Sequence, residues 1–186
     1  MQKIINYLYL KYLIFKHPNF KCGNKSLIDY QTSIIIYNNR LVIGENVTIR
    51  SRNRGYHAGM PFYSSILIDV KDAKVKIGNN SRLNGVYIHA QKEICIGHNC
   101  VIAAGVNIID SNGHILNSLN RTVGRDKPKE IIIGDNVWIG LNSIILKGTK
   151  IGNNSVVAAG SVVKGDFPEN SIISGNPAII VDEIKF

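Results

Sequence analysis

An aliphatic residue recurs every six positions in one long run of the chain, and this period restricts the fold more than any other feature. The members of the series are Ile133, Ile139, Ile145, Ile151, Val157 and Val163. The residues four positions after them are mostly small, as in Ser143, Thr149, Ser155 and Ser161. A period of six matches neither an amphipathic helix nor an alternating strand. It predicts a coil of short flat strands joined by sharp corners, with the aliphatic side chains stacked inside.

The same register occurs upstream, which extends the predicted coil over most of the chain. The upstream members are Ile43, Ile49, Ile77, Leu83, Ile96, Ile102 and Ile108. Triplets of Gly, then Asn or Asp, then Asn at 78–80, 134–136 and 152–154 suit the corners, because Gly and Asn tolerate positive φ. We therefore predict an all-β fold over residues 26–167, a left-handed parallel β-helix of hexapeptide repeats.

Four segments depart from the repeat. A solenoid needs caps at its open ends, so residues 1–25, with a short helix, and residues 168–186 are the predicted caps. Residues 50–66 and 109–130 carry no six-residue register and interrupt the array as loops. Long loops inside a compact array are usually functional, so both are candidate parts of a binding site.

The positive charge of the chain is unevenly distributed. The formal net charge is +9, and five lysines precede the first acidic residue, Asp29. A second basic cluster consists of Arg50, Arg52 and Arg54. Such clusters attract phosphates on a coenzyme, a sugar nucleotide or a lipid headgroup. Nucleic acid is not an expected partner, because the sequence contains no recognised module for binding it.

The apolar stretch near the N-terminal side and the cysteines bear on location. Residues 4–15 are too few to span a bilayer, and Lys11 interrupts them. No small-residue cleavage pattern follows, so a secretion signal is not expected. Three cysteines without a CxxC pair fit a reducing compartment and argue against a zinc site. We predict a cytoplasmic protein whose residues 1–16 form either an end cap or an interfacial helix on the membrane surface.

Two segments resemble a known enzyme family. Residues 131–181, beginning IIIGDNVWIGLNSIILKGTKIG, closely resemble the C-terminal half of bacterial hexapeptide-repeat acetyltransferases. The closest branch contains galactoside, maltose, nodulation-factor and polysaccharide O-acetyltransferases. Residues 83–114, ending in NIIDSNGH, are similar to the same branch, in which an Asp-containing loop ends in the catalytic histidine. The resemblance implies a homotrimer, acetyl-CoA as the donor, a sugar or glycan acceptor and direct transfer without an acyl-enzyme.

The resemblance also assigns roles to individual residues. His114 matches the catalytic histidine, and a neutral imidazole suits a general base near pH 7. Asp110, four residues earlier, is predicted to help orient the imidazole ring, and Asn84 matches a position where the family contacts the acceptor. The family holds the pantetheine arm of CoA by main-chain groups, and the matching residues are Gly140, Leu141, Ala158 and Ala159.

The chain departs from the family where relatives carry a cation for the CoA 3′-phosphate. Relatives usually have Thr-Lys or Thr-Arg before an Asp-Ile-Pro turn, whereas this chain reads Lys164-Gly165-Asp166. Lys164 is the best remaining candidate, and Lys185 is the second. No metal site is expected, because a three-histidine zinc site needs a histidine after His114, and the sequence has none there.

The other histidines and cysteines receive no catalytic role. His57 lies beside aromatic residues that suit the lining of an acceptor pocket, His89 stands near a strand end, and His98 occupies a turn. Cys100 fills the small position of its hexad, so packing is its predicted role. Trp138 is predicted to lie at a coil edge, either near the active site or as a structural corner.

The leading prediction is an acetyl-CoA-dependent O-acetyltransferase for a sugar or a surface-polysaccharide precursor. Three alternatives remain open: N-acetylation of an amino-sugar nucleotide, O-acetylation of an antibiotic, and a non-catalytic β-helix scaffold. The loop that runs from Asp110 to His114 argues against the scaffold, which would not require it.

Overall fold

The structure, a computed structural model, describes residues 1–37, 40–52 and 55–186. It contains one helix, α1 (Gln2–Lys16), and three sheets that form the walls of a triangular prism. Sheet A comprises β1 (Phe20–Cys22), β4 (Arg40–Ile43), β7 (Lys74–Ile77), β10 (Glu93–Ile96), β13 (Ile131–Ile133), β16 (Lys150–Ile151) and β19 (Asp166–Phe167). Sheet B comprises β2 (Leu27–Ile28), β5 (Thr48–Arg50), β8 (Arg82–Asn84), β11 (Val101–Ile102), β14 (Trp138–Ile139), β17 (Val156–Val157), β20 (Ser171–Gly175) and β21 (Ala178–Glu183). Sheet C comprises β3 (Ser33–Ile36), β6 (Ser65–Ile68), β9 (Tyr87–Ala90), β12 (Asn107–Ile109), β15 (Ile144–Leu146) and β18 (Val162–Val163).

Each complete coil contributes one strand to each sheet, so every strand from β1 to β17 pairs in parallel with the strand three further along the chain. Leu83, for example, pairs with Ile49 on one side and with Ile102 on the other. All six members of the predicted aliphatic series from Ile133 to Val163 are at most 2% exposed. The predicted inward stacking is therefore confirmed, and with it the β-helix.

Asparagines turn the chain at the corner between sheets A and B. They adopt the positive φ expected from the sequence, from 54° to 61°, and the members are Asn46, Asn80, Asn99, Asn136, Asn154 and Asn170. Their side chains bond to one another from coil to coil, as in the 3.1 Å bond from Asn136 Nδ2 to Asn154 Oδ1. His98 stands in the neighbouring column of turn residues, where its Nδ1 accepts the Asn79 N–H at 2.9 Å. His98 thus takes the place that Asn or Asp fills in other coils.

The β-helix extends beyond both boundaries predicted for it. Strand β1 pairs with β4 inside the range 1–25, and β20 continues sheet B inside the range 168–186. At the first end the aliphatic series is interrupted, because Cys22 and not an aliphatic residue takes the position that pairs with Ile43. At the other end, the next inward residue, Phe167, follows Val163 after four positions and not six, which breaks the series.

Helix α1 and strand β21 cover the two ends. The side chain of Leu13 is buried, and Tyr9 donates its hydroxyl hydrogen to the Thr32 carbonyl oxygen at 2.6 Å. Asn6 Oδ1 accepts the Tyr30 N–H at 3.1 Å, which fixes α1 against the first coil. Strand β21 turns back and pairs antiparallel with β20. Within the described ranges, no helix has the length and apolar character needed to cross a membrane.

Candidate functional site

A groove with a volume of about 560 Å³ runs along the outer surface of sheet B. Its floor follows the outward positions of successive coils, where Thr48 pairs with Arg82, Val101 with Arg82 and Trp138 with Val101. The structure brings together five of the predicted site residues in this groove: Asn84, Gly140, Leu141, Ala158 and Ala159. The groove therefore contains the predicted CoA positions and the predicted acceptor position on one continuous surface.

The coils approach each other closely where the CoA groove is predicted. A Cβ atom added to Gly140 would lie 2.6 Å from the Ala159 amide nitrogen, so a larger residue would push the two coils apart. The side chain of Asn84 is buried, and its Nδ2 donates to the Ile102 carbonyl oxygen at 3.2 Å. This bond leaves the Asn84 amide oxygen available to a ligand in the groove.

Further residues line the groove beside those that the family resemblance assigns to it. Arg50 and Arg82 supply cations on its floor, and Arg82 was overlooked altogether. The signal for Arg82 was present, because the residue directly before each inward aliphatic residue of sheet B points outward, and Arg82 precedes Leu83. Tyr56 and His57 also line the groove, which fits the predicted place of His57 in a pocket. Trp138, 54% exposed, lies on the groove and not in a buried corner.

The ring of His114 has a defined hydrogen bond. Its Nδ1 lies 2.7 Å from the carbonyl oxygen of Arg121. A carbonyl oxygen only accepts, so Nδ1 carries the hydrogen and the neutral ring has its lone pair on Nε2. The imidazole is therefore in the tautomer in which Nε2 can take a proton.

The loop 109–130, which carries His114, is tied to the prism by charged groups. Lys147 on the sheet C side forms an ion pair with Asp126, and the same carboxylate accepts the Asn112 N–H at 3.0 Å. The hydrogen bond from Lys147 holds the pKa of Asp126 below its usual value. Arg125 reaches Asp69 with Nη1 and Oδ2 3.3 Å apart. These contacts fix both sides of the His114 segment.

The structure places Asp110 differently from the sequence-based expectation. Its side chain is fully buried, and its carboxylate accepts the N–H groups of Gln91, Lys92 and Glu93 at 2.7, 2.7 and 3.0 Å. Burial raises the pKa of Asp110, although the three N–H bonds favour its charged form. Asp110 thus shapes the turn between β9 and β10, while the bond that holds the His114 ring comes from Arg121.

A histidine–carboxylate pair lies on the outer surface of sheet C. His89 Nε2 is 3.0 Å from Asp69 Oδ1, and Asp69 also contacts Arg125. Burial alone would raise the pKa of Asp69, but the hydrogen bonds and charges of His89 and Arg125 outweigh it and lower the pKa. Asp69 is therefore a shared anchor for His89 and for the loop 109–130.

The cysteines lack the environment of a nucleophile. Burial and the neighbouring Glu93 raise the pKa of Cys95 to about 11, which disfavours the reactive thiolate near neutral pH. Cys100 is completely buried and occupies the small position of its hexad, as predicted. Among residues 1–37, 40–52 and 55–186, no three His, Cys, Asp or Glu side chains come together in a way that could hold a metal ion.

The groove and His114 lie at different places on a single chain. The loop 50–66 leaves β5 and enters β6, so it stands at the corner between sheets B and C, beside the groove. The loop 109–130 leaves β12 and enters β13, at the corner between sheets C and A. Lys164 follows β18 at that same corner, and neither His114 nor Lys164 is among the described residues that line the groove. Arg54, predicted to belong to a basic cluster, lies outside the described residues.

Three parallel sheets of short strands, a six-residue register and a groove across the coils define a left-handed β-helix of hexapeptide repeats. The family described as the hexapeptide repeat of succinyl-transferase matches residues 130–164. A putative acetyltransferase of Saccharomyces cerevisiae is 38% identical over 125 residues, which are 67% of this chain and 61% of the relative. The galactoside O-acetyltransferase of Escherichia coli K12 is 31% identical over 148 residues, 77% of this chain and 64% of the relative. The chain belongs to the hexapeptide-repeat acetyltransferase family.

Two solved structures are similar as well. A hexapeptide-repeat acetyltransferase of Vibrio cholerae in complex with acetyl coenzyme A is 34% identical, with a TM-score of 0.57 over 60% of this chain and 61% of that one. A galactoside acetyltransferase in complex with coenzyme A is 26% identical, with a TM-score of 0.54 over 87% of this chain and 66% of that one. The chain spans 61%, 53% and 64% of the length of three curated relatives that it matches.

Proposed function

We propose that this chain is an acetyl-CoA-dependent O-acetyltransferase that acts on a hydroxyl of a sugar or a surface-polysaccharide precursor. The observation that carries the proposal is the groove on sheet B, which unites Asn84 with the predicted pantetheine positions at Gly140 and Ala159. The acceptor class follows from the relatives, which include galactoside O-acetyltransferase and a putative lipopolysaccharide biosynthesis O-acetyl transferase of Escherichia coli K12. We further propose that it works on the cytoplasmic side of the membrane, as predicted from the sequence.

The proposed chemistry is a direct transfer with His114 as the general base. Nε2 of His114 takes the proton of the acceptor hydroxyl while the oxygen attacks the thioester carbonyl carbon. The new C–O bond forms, the C–S bond breaks, and the proton passes from the imidazolium to the departing CoA sulfur. The Arg121 carbonyl oxygen, 2.7 Å from Nδ1, keeps the ring in the reactive tautomer and stabilises its positive charge.

We propose that the working enzyme is a homotrimer in which the loop 109–130 of one copy lies over the groove of the next. Two observations support this arrangement. His114 and the groove lie at different corners of one chain, and the loop exposes apolar side chains that a neighbour would bury: Leu116, Leu119 and Val123. In such a trimer, Lys164 of one copy would also stand beside the CoA of the next. Light scattering should give close to three times the chain mass of 20.6 kDa.

Mixed trimers test the activity and the shared site together. His114→Ala removes the base, and Ala159→Trp fills the groove at an exposed position. Each variant alone should be inactive in an assay that follows release of the CoA thiol with a glycoside acceptor. After equimolar co-assembly, roughly a quarter of the sites should combine an intact groove with an intact histidine from the neighbour. If the mixture stays inactive while the native trimer works, the base and the groove belong to the same chain.

We also propose that α1 contacts an anionic membrane surface. The helix turns apolar side chains toward solvent, with Phe15 89% exposed and Ile4 and Leu8 beside it, and it carries Lys3, Lys11 and Lys16 without an acidic residue. Such a face suits the boundary between headgroups and acyl chains. The double variant Leu8→Gln/Phe15→Gln alters this face but not the buried side that caps the β-helix. It should lose co-sedimentation with vesicles that contain anionic lipid, and unchanged co-sedimentation would remove α1 from this role.

A further inference from the structure

A second cleft continues the groove of sheet B toward α1. The two cavities share Thr48 and Arg50, and the second has a volume of about 450 Å³. Its other polar lining residues come from α1 and from the first two coils: Gln2, Lys3, Asn6, Asp29 and Arg52. The groove therefore extends past Asn84 into a polar region that the binding of CoA does not account for.

This region is strongly basic. Lys3, Arg50, Arg52 and Arg82 line the combined surface, against one carboxylate, Asp29. Lys3 and Arg82 form no ion pair with any residue that the structure describes. Four cations around one acidic group create a positive potential that selects an anionic ligand.

The paired members of the cluster keep donors for a ligand. Arg52 Nε donates to Asp29 Oδ2 at 3.0 Å, which leaves the two terminal nitrogens of Arg52 unused by that bond. Among the residues that the structure describes, the Arg50 guanidinium donates only to the Gly55 carbonyl oxygen, at 3.5 Å. Asp29 is 2% exposed, and its Oδ2 accepts both the Arg52 Nε–H at 3.0 Å and the Ser51 N–H at 3.4 Å. Guanidinium groups with free N–H pairs match phosphate oxygens in fork geometry.

The cations lie on the acceptor side of the groove. Neighbouring strands in a sheet are about 4.8 Å apart. Arg82 on β8 is two strands from Trp138 on β14 and three from Val156 on β17, so roughly 10 to 14 Å separate it from the predicted CoA positions. Asn84 lies on the same strand as Arg82. A ligand phosphate on the arginines would therefore leave room for one sugar between it and the thioester.

We propose that this basic cleft binds the diphosphate of a glycosyl-diphosphate acceptor and holds its sugar beside Asn84. The inference rests on the proposed function, because it names the acceptor of the same reaction. A sugar diphosphate exists linked to a nucleotide or to a polyprenyl lipid, and both share the chemistry that Arg50 and Arg82 recognise. Lys3 brings α1 into the cleft wall, so a lipid carried by the membrane face of α1 would reach the same cations.

Direct binding tests the cleft without any catalytic step. Inorganic pyrophosphate is titrated into the trimer by calorimetry while CoA is saturating, so that the CoA phosphates occupy their own site. Arg82→Gln should weaken pyrophosphate binding about tenfold, the usual effect of losing one charge-assisted hydrogen-bonding group. Arg40→Gln is the matched control on sheet A and should leave it unchanged. Equal affinity in the native protein and Arg82→Gln, or loss of pyrophosphate binding when CoA is added, would overturn the proposal.

Acetyl transfer then separates this inference from the proposed function. A UDP-hexose should have a KM at least tenfold below that of the neutral methyl hexoside, and Arg82→Gln should abolish that difference. Equal KM values for the two acceptors would refute the diphosphate site while leaving the acetyltransferase intact. No thiol release with any acceptor, together with Arg82-dependent pyrophosphate binding, would instead count against the proposed function.

A comparison of two acceptors decides whether the diphosphate is linked to a lipid or to a nucleotide. A polyprenyl-diphosphate hexose in anionic vesicles is compared with the UDP-hexose in solution. If the lipid-linked sugar is the better acceptor and Leu8→Gln/Phe15→Gln removes only that advantage, the acceptor is lipid-linked. If the UDP-hexose is preferred and the double variant has no effect, it is nucleotide-linked. Arg82→Gln should impair acetyl transfer to both acceptors. Full activity of that variant on both would overturn the proposed diphosphate site.

Discussion

The two loops that interrupt the repeat are held in different ways. The loop 50–66 has an ion pair near its start, between Arg52 and the buried Asp29, and is otherwise fixed by neutral groups close to the core. Ser64 donates its hydroxyl hydrogen to the Arg50 carbonyl oxygen at 2.7 Å and its N–H to Ser51 Oγ at 3.0 Å, and Tyr56 Oη accepts the Ala104 N–H at 3.3 Å. The loop 109–130 is held to the prism by ion pairs: Asp126 with Lys147, Asp69 with Arg125 and Glu130 with Lys92.

This difference predicts that the loop 50–66 is a rigid wall of the groove, whereas the loop 109–130 holds His114 in a position that can change with conditions. The loop 50–66 brings Tyr56 and His57 to the groove of its own chain. The hydrogen bonds of Tyr56 and Ser64 involve no charged group, so neither acid nor salt disrupts them directly. The loop 109–130 holds His114 through charges, which salt screens and acid neutralises. The groove should therefore keep its shape under conditions in which the position of the base changes.

The largest effect is expected from the base itself. His114→Ala should lower turnover by about 10² to 10⁴, with CoA affinity little changed, because base catalysis acts on the chemical step. Single-turnover kinetics and CoA titration measure the two quantities separately. His57→Ala, on the other loop, and His89→Ala serve as controls and should retain most activity. Near-native turnover of His114→Ala would show that the general base is not in this loop, and His89 would then be the next candidate.

The charged anchor of the same loop should have the next largest effect. Asp126→Asn weakens the contact with Lys147 and displaces His114, so kcat should fall on the order of tenfold, while KM for acetyl-CoA stays nearly constant. Asp72→Asn, an exposed turn residue with φ of 67° that tolerates Asn, is the matched control. A change in KM for acetyl-CoA without a change in kcat would mean that Asp126 supports the groove and not the base.

Acid should act on one loop before the other. The pKa of Asp126 and that of Asp69 are lowered in the folded protein. Their stabilising effect is therefore complete above the ordinary value of about 4 and is lost as pH falls through the lowered folded pKa. Hydrogen exchange should show amides of 109–130 losing protection as pH falls below about 4, while those of 55–64 keep theirs. Simultaneous loss of protection in both loops would contradict the proposed difference between them.

The smallest effect is expected from the neutral anchor. Tyr56→Phe removes only the hydroxyl that accepts the Ala104 N–H, so the free energy of unfolding should fall by roughly 0.5 to 1.5 kcal/mol. Turnover should stay within about twofold, because the ring remains in the groove wall. Denaturant unfolding and steady-state rates measure the two changes. A hundredfold loss of turnover with unchanged stability would assign Tyr56 to the chemistry.

The interior of this molecule was easier to predict from its sequence than the site. Each inward position must be filled by a side chain of similar shape, so the six-residue period alone identifies Ile139 and Val157 as core residues. An outward position such as that of Arg82 accepts many residue types, and the fold does not reveal which of them serves a ligand. The partners of Asp110 belong to a turn of the preceding coil, 17 to 19 residues earlier, so its role becomes visible only once the two coils have stacked.

The covers at the two ends of the prism have a consequence for solubility. A parallel β-helix with an uncovered edge presents a row of unpaired N–H and C=O groups, the template on which filaments grow. Here α1 lies over the first coil, and β21 reverses direction against β20 and carries Asp182 and Glu183 on its exposed side. Copies are thereby discouraged from stacking end to end, and association is directed to the sides of the prism, where a closed ring of three can form.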